Sequence, residues 1–383
     1  MRTLLKRGLQ IVLVLLVLVA GVGVWKRDLV MRLMAVNSLF DAGKIVQNFS
    51  HMDRMFLTRP LSRGDGPVSP LPAGPPATLS PEAEAWVKER SVTGLVMLKG
   101  GALVHESYYL GTGAEDLRIS WSMAKSALSL LMGTVVAEGK LSLDDPVVQY
   151  APQLVGSAYD GATVRQVLNM ASGVRFNEDY FDFYSDINKM GRVLALGGSM
   201  DAFAAGLQER DAAPGAVWHY VSIDTHVIGM VIRGATGQEI ATLMEERIIA
   251  PLGLEAAPYY VTDGLGEPFV LGGLNLPTRD YARIGQLVVQ RGLWMGQQIV
   301  PAEWVAQSTV PTAPGGAMYG YQWWIPDTPS PGEVMAQGVY GQYIYINPSL
   351  DVVIAVNSAD RGFEDPGVYD GTIAMLRQMA SGL

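Results

Sequence analysis

Ser122-Met123-Ala124-Lys125 sets a hydroxyl and an amine three residues apart, in the only Ser-x-x-Lys of the chain. Three residues is just under one helical turn, so on a helix both side chains share a face and come within hydrogen-bonding reach. That is the layout of a serine nucleophile with a lysine base. If Ser122 sits where a loop gives way to a helix, its backbone N–H has no intrahelical acceptor and can be aimed at an oxyanion. Serine is also a common helix cap, so the tetrad by itself leaves catalysis and capping open.

A lysine near its ordinary pKa of about 10.4 is a cation and cannot take a proton, so Lys125 needs burial or a second basic group beside it. Tyr220-Val221-Ser222 offers a partner. A tyrosine next to a buried lysine can share its proton and pass it to a leaving group, and Ser222 can hydrogen-bond the pair. Gln337-Gly338-Val339-Tyr340-Gly341, on a predicted strand, supplies glycines that let backbone approach a substrate, Gly338 among them. The Val339 N–H is then the second oxyanion donor, after that of Ser122. Glu178 to Tyr184 is an aromatic and acidic loop that caps the site or merely packs on the surface; Tyr180 is its candidate substrate contact.

The elements that must position these groups lie in a chain of 383 residues with 49% hydrophobic content, enough for a large core. Cysteine is absent, and the four histidines, His51, His105, His219 and His226, show no ligand spacing, so neither thiol chemistry nor a metal or organic cofactor is implied. Formal net charge is −9; the first 27 residues hold Arg2, Lys6, Arg7, Lys26 and Arg27 and no acid, so the remainder carries −14, which disfavours nucleic acid. Gly8 to Trp25 is apolar except for Gln10. As a helix it would span roughly 27 Å, close to the hydrocarbon thickness of a bilayer. With no Ala-x-Ala site following, it reads as an uncleaved anchor rather than a signal peptide. Basic residues ahead of it would place the catalytic part outside the inner membrane, in the periplasm of a Gram-negative cell.

Residues 28–79 read as a helical stem followed by a proline-rich linker or wrapping arm, with the folded domain beginning near Ser80. Thr93–Lys99 and Ala102–Tyr109 read as a hairpin around Gly100-Gly101, and the Ser122 helix carries an apolar stripe ending near Gly139. Helices are expected from Leu141 to about Pro268, and strands again at Tyr319–Trp324, Val334–Val339, Gln342–Ile346 and Val352–Asn357, before a last helix from Gly371. Strands at both ends with helices between them predict an α/β (α+β) fold, in which one antiparallel sheet is assembled from both chain ends. It is flanked by helices and carries an inserted, mainly helical subdomain at about 141–268.

Ile119-Ser120-Trp121-Ser122-Met123-Ala124-Lys125-Ser126, Val167-Leu168-Asn169-Met170-Ala171-Ser172-Gly173, and Pro214-Gly215 followed by Trp218-His219-Tyr220-Val221-Ser222 occur in that order. Together with Pro251-Leu252-Gly253-Leu254 and Thr278-Arg279-Asp280-Tyr281-Ala282-Arg283, they resemble the serine beta-lactamase and penicillin-recognising superfamily. The likeness extends from about Leu79 to the C-terminus. It implies a beta-lactamase-like fold with Ser122 acylated, Lys125 as its base and Tyr220 as second acid/base. Ala336-Gln337-Gly338 stands where the superfamily usually has lysine or histidine before glycine, and Ser222 stands where beta-lactamases commonly have asparagine. These departures, with Gly341-Gln342 and Tyr321-Gln322-Trp323-Trp324, are more similar to the 6-aminohexanoate-dimer hydrolases and related carboxylesterases. The expectation is a hydrolase of small ester or amide substrates. A D-Ala carboxypeptidase or beta-lactamase, and an inactive relative that binds peptide or cell-wall fragments, are the rival readings.

Overall fold

The computed structural model describes residues 27–383, together with 6–8, 10 and 13. The elements that build and position the site are, in chain order, α1 (Arg27–Asn37), α2 (Ile45–Ser50), β1 (Leu57–Pro60), α3 (Pro81–Glu89), β2 (Val92–Lys99), β3 (Ala102–Tyr108), β4 (Arg118–Ile119) and α4 (Met123–Ala137). There follow α5 (Val164–Leu168), α6 (Asp186–Leu196), α7 (Ser222–Thr236), β5 (Tyr259–Thr262), β6 (Leu274–Leu276), α8 (Thr278–Val289), β7 (Val334–Gly338), β8 (Gln342–Asn347), β9 (Val352–Ser358) and α9 (Val368–Ser381).

The main sheet has the order β3-β2-β9-β8-β7, antiparallel throughout, so strands from both ends of the chain meet at the β2–β9 pair. Alternation along each strand sorts its side chains into two layers. Leu95 and Met97, Tyr343 and Tyr345, and Val352, Ile354 and Val356 face α3 and α9. Val96 and Leu98, Ile344 and Ile346, and Val353 and Ala355 face the larger core, which holds α4, α7 and α8. Because both faces are covered, these strands are buried along nearly their whole length.

A second sheet, β1-β5-β6-β4, was not anticipated: β5 falls inside the stretch expected to be helical, and β1 and β4 are short. It is the piece that carries the chain into Ser122, since β4 ends two residues before Trp121. Tyr319–Trp324, expected as a strand, forms only two isolated bridges, Tyr319 to Trp324 and Trp324 to Met335, with Gln322 at φ 68° turning the chain. Its polar groups go to three helices instead. The Ser126 hydroxyl donates to the Gln322 carbonyl at 2.7 Å, Thr225 to its side-chain oxygen at 2.6 Å, and its amide donates to the Leu168 carbonyl at 2.8 Å.

The boundary expected near Ser80 also needs correcting. Leu39, Ile45, Phe49, Met52, Met55 and Leu61 are buried in the main core, so the segment read as a stem is part of the folded body. The proline-rich stretch then runs as a strap along the open edge of β3, with Leu103 donating to the Pro72 carbonyl and Gly74 to the Leu103 carbonyl, both at 2.8 Å. Prolines lack a donor and so suit the outer side of a sheet edge. Of Gly8–Trp25, only Gly8, Gln10 and Leu13 are among the described residues, so the expected anchor lies outside them; among the described residues no helix is long and apolar enough to cross a membrane.

Candidate active site

The turn before α4 is held from three sides. Ser120 donates to the Leu274 carbonyl at 2.8 Å, and the Tyr281 hydroxyl to the Arg118 carbonyl at 2.7 Å. The buried Arg118 guanidinium donates to the Val46 carbonyl at 2.8 Å and to the Ser50 hydroxyl, tying the N-terminal segment to the same strand. Trp121 adopts φ 42°, a strained conformation for a bulky residue that persists only where its surroundings fix it. Those surroundings are aromatic. Phe49 packs edge-on to Trp121 at 5.5 Å, and Phe40 stacks on Tyr340 at 4.8 Å with 12° between the rings. Phe49 also meets Tyr340, at 5.5 Å. One N-terminal cluster thus pins both the residue before Ser122 and the turn that follows β7.

Ser122 flanks the helix and its side chain makes no capping hydrogen bond, so the hydroxyl is not spent on the helix end. β7 ends at Gly338, and Val339 to Gly341 form a turn rather than a strand, with positive φ at Tyr340 and Gly341. Gln342 holds this turn, its amide donating to the carbonyls of Tyr340 at 3.0 Å and Ser358 at 2.8 Å. A Cβ at Gly338 would lie 2.6 Å from the Ser120 carbonyl oxygen and 3.0 Å from the Ser122 nitrogen. Only glycine lets the two backbones approach so closely, which sets the end of β7 beside the start of α4.

Lys125 is 1% exposed. Its amine donates to the Leu271 carbonyl at 3.0 Å and to the Ser222 hydroxyl at 3.3 Å. Burial drives its pKa down to about 7, while the charges of Glu178 and Asp224 act in the opposite direction. A neutral amine has two N–H groups, and both are committed here, which leaves its lone pair free to take a proton.

The Tyr220 ring lies beneath that amine, 5.4 Å from centroid to nitrogen, and is seated against Trp324 at 5.3 Å. Burial first, and then the charge of Glu178, push its hydroxyl far above the ordinary tyrosine range, with Ser122 and Ser222 hydrogen bonding working against them. At neutral pH Tyr220 therefore holds its proton. The two groups are separated in role by their surroundings: Lys125 can accept, and Tyr220 can give.

Ser222 faces the cleft, yet its side chain is already engaged, accepting from Lys125 and donating to Glu178 at 3.1 Å. Tyr180 also borders the cleft, and its hydroxyl donates to the same carboxylate at 3.0 Å. The Ser222 backbone N–H is a third donor to it. Glu178 is the residue the sequence reading passed over. It lies in the loop expected either to cap the site or to pack on the surface, and the one available signal is indirect: a buried lysine calls for an acid within reach. Burial raises the Glu178 pKa, and the Lys125 charge with the donors from Ser222 and Tyr180 offsets part of that rise. His226, itself buried, is paired with the partly exposed Asp201 at 2.7 Å.

The family model described as Beta-lactamase matches residues 88–378. The chain is 27% identical over 329 residues to the 6-aminohexanoate-dimer hydrolase of Paenarthrobacter ureafaciens, covering 80% of this chain and 83% of that one. It is 28% identical over 185 residues to esterase EstB of Burkholderia gladioli, covering 41% and 44% respectively. Among solved structures it resembles a Bacillus anthracis protein whose 6-aminohexanoate-dimer hydrolase designation is provisional. That likeness has a TM-score of 0.80 at 23% identity, over 89% of this chain and 95% of that one. The octameric penicillin-binding protein homologue of Pyrococcus abyssi follows with a TM-score of 0.59 at 23% identity, over 78% and 77%. The matched stretch contains Ser122, Lys125, Glu178, Tyr220, Ser222 and Val339, and the chain belongs to the Beta-lactamase family.

Proposed function

We propose that the protein is a serine hydrolase that cleaves esters or linear amides through an acyl-enzyme on Ser122. The observation that carries this reading is the state of Lys125: buried, with a pKa near 7 and two N–H groups committed to Leu271 and Ser222. Ser122 attacks the carbonyl carbon as its proton passes to Lys125. The Ser122 and Val339 amides hold the developing oxyanion. Tyr220 delivers a proton to the leaving group, and water then releases the acyl group by the same route in reverse. Glu178 and Ser222 orient the base. The hydrolase and esterase names borne by the relatives agree with this chemistry.

A fluorophosphonate probe is expected to label the folded protein at Ser122, located by peptide mass mapping. Label at another residue, or none, would remove the nucleophile assignment. Labelled penicillin is the counter-probe, and acylation of Ser122 by it would move the reading to the carboxypeptidase and beta-lactamase branch.

Gly8–Trp25 is proposed as a single uncleaved anchor in the inner membrane, with the catalytic part on the extracytoplasmic side. Full-length protein is expected to stay with membranes through a carbonate wash. A mature N-terminus beyond Ala20 in native material would mean a removed signal instead.

A further inference from the structure

Two recesses meet at Ser122. One, of about 470 Å3, is bordered by Tyr220, Trp324 and Gly338; the other, of about 770 Å3, runs the opposite way toward α1 and α6 and does not touch Tyr220. Under the acyl-enzyme reading, on which this inference rests, Tyr220 protonates the leaving group. The leaving group then occupies the smaller recess and the acyl group the larger.

The larger recess is walled by apolar side chains well beyond the reacting atoms, including Leu33 and Met34 of α1, Met190 and Leu194 of α6, and Phe269. Among its described lining residues there is no carboxylate. The one charged side chain, Arg192, is occupied: its guanidinium donates to the Phe183 carbonyl at 2.7 Å and lies 4.3 Å from the Phe183 ring centroid. Nearby Glu178 is taken by Ser222 and Tyr180. An acyl chain ending in an ammonium, such as a 6-aminohexanoyl group, finds no acidic partner on these walls to offset the loss of hydration. An alkyl chain meets no such obstacle. At ~30 Å3 per methylene, about the share of volume a water molecule takes in the liquid, twelve carbons fill roughly half the recess.

We propose that this recess accepts an uncharged aliphatic acyl chain of medium to long length, about twelve carbons being well within its volume, so that the substrates are fatty acyl esters or amides. Each methylene that leaves water can raise kcat/KM by up to about fourfold.

The test uses the full-length protein in lipid nanodiscs with p-nitrophenyl acetate, butyrate, hexanoate, octanoate and 6-aminohexanoate. From acetate to octanoate kcat/KM is expected to rise at least ~10-fold, and hexanoate is expected to exceed 6-aminohexanoate by a similar factor. Gly191 lies on the wall in α6, and a Cβ there meets nothing within 4 Å, so the position has room for the start of a side chain and Gly191→Phe is expected to narrow the recess. It is expected to cut the octanoate-to-acetate ratio at least ~5-fold in the same lipid, which separates binding in the recess from partitioning into the bilayer. Leu33→Asn on α1 provides a second reading of that ratio. A flat or falling chain-length profile, a preference for 6-aminohexanoate, or a ratio unmoved by both variants would overturn the proposal. Failure of the underlying reading looks different: neither acetate turnover nor label on Ser122.

Discussion

Replacing Lys125 with methionine is expected to lower kcat/KM on an activated ester by ~10⁴-fold, since the Ser122 proton would lose its acceptor while oxyanion stabilisation and binding remain. The fold should survive, because a linear apolar side chain replaces an amine whose burial was unfavourable. The pH dependence gives a sharper check. Lysine in an unfolded chain titrates near 10.5, and burial brings Lys125 to about 7. Below pH 7 the amine is charged and cannot accept, so the wild-type rate should climb as pH rises through 7 and level off above it. Stability follows the same group. Between about pH 7 and 10.5 the unfolded chain binds a proton at this position that the folded chain does not, so the contribution of Lys125 to stability increases with pH across that window. In Lys125→Met that rise should vanish. A rising limb near pH 10, or a variant retaining a tenth of wild-type activity, would show that the lysine is not the base.

Tyr220→Phe should separate substrates by leaving group. The ring stays against Trp324 and only the hydroxyl goes, so folding should change little. An amide nitrogen must be protonated to leave and a nitrophenolate need not. The expected loss is therefore ~100-fold or more in kcat/KM on a linear amide and markedly smaller on a nitrophenyl ester. Equal, few-fold losses on both would make Tyr220 a packing residue and leave the amine with no proton source.

The groups proposed to do the chemistry stand out in the sequence because their spacing is local. Ser122 and Lys125 declare themselves within one helical turn, and Tyr220 and Ser222 within three residues, whereas the contacts joining the two pairs span about a hundred residues and are set by how α4 packs on α7. The central strands were legible for a similar reason. A strand buried on both faces reads as a continuous apolar run, and β2, β8 and β9 fell within a residue or two of expectation. What stayed hidden was decided by long-range packing. β1, β4 and β6 have four residues or fewer, too short for periodicity to show. Tyr319–Trp324 has the composition of a strand, but Gln322 spends its polar groups on three helices and bends the chain. Phe40 and Phe49 looked like part of a stem because nothing local announces that their partners, Trp121 and Tyr340, lie far along the sequence.

The wall that α1 contributes to the acyl recess comes from residues 27–37, whereas the stretch that defines family membership begins at residue 88. On the proposed acyl reading, part of the recess wall is thus encoded upstream of the matched stretch, while α6 and Phe269 lie within it. Two enzymes that share Ser122, Lys125 and Tyr220 could then differ at one end of the recess and agree at the other. Exchanging α1 alone, residues 27–37, would reshape that end and leave in place Phe40 and Phe49, which seat the turn before Ser122.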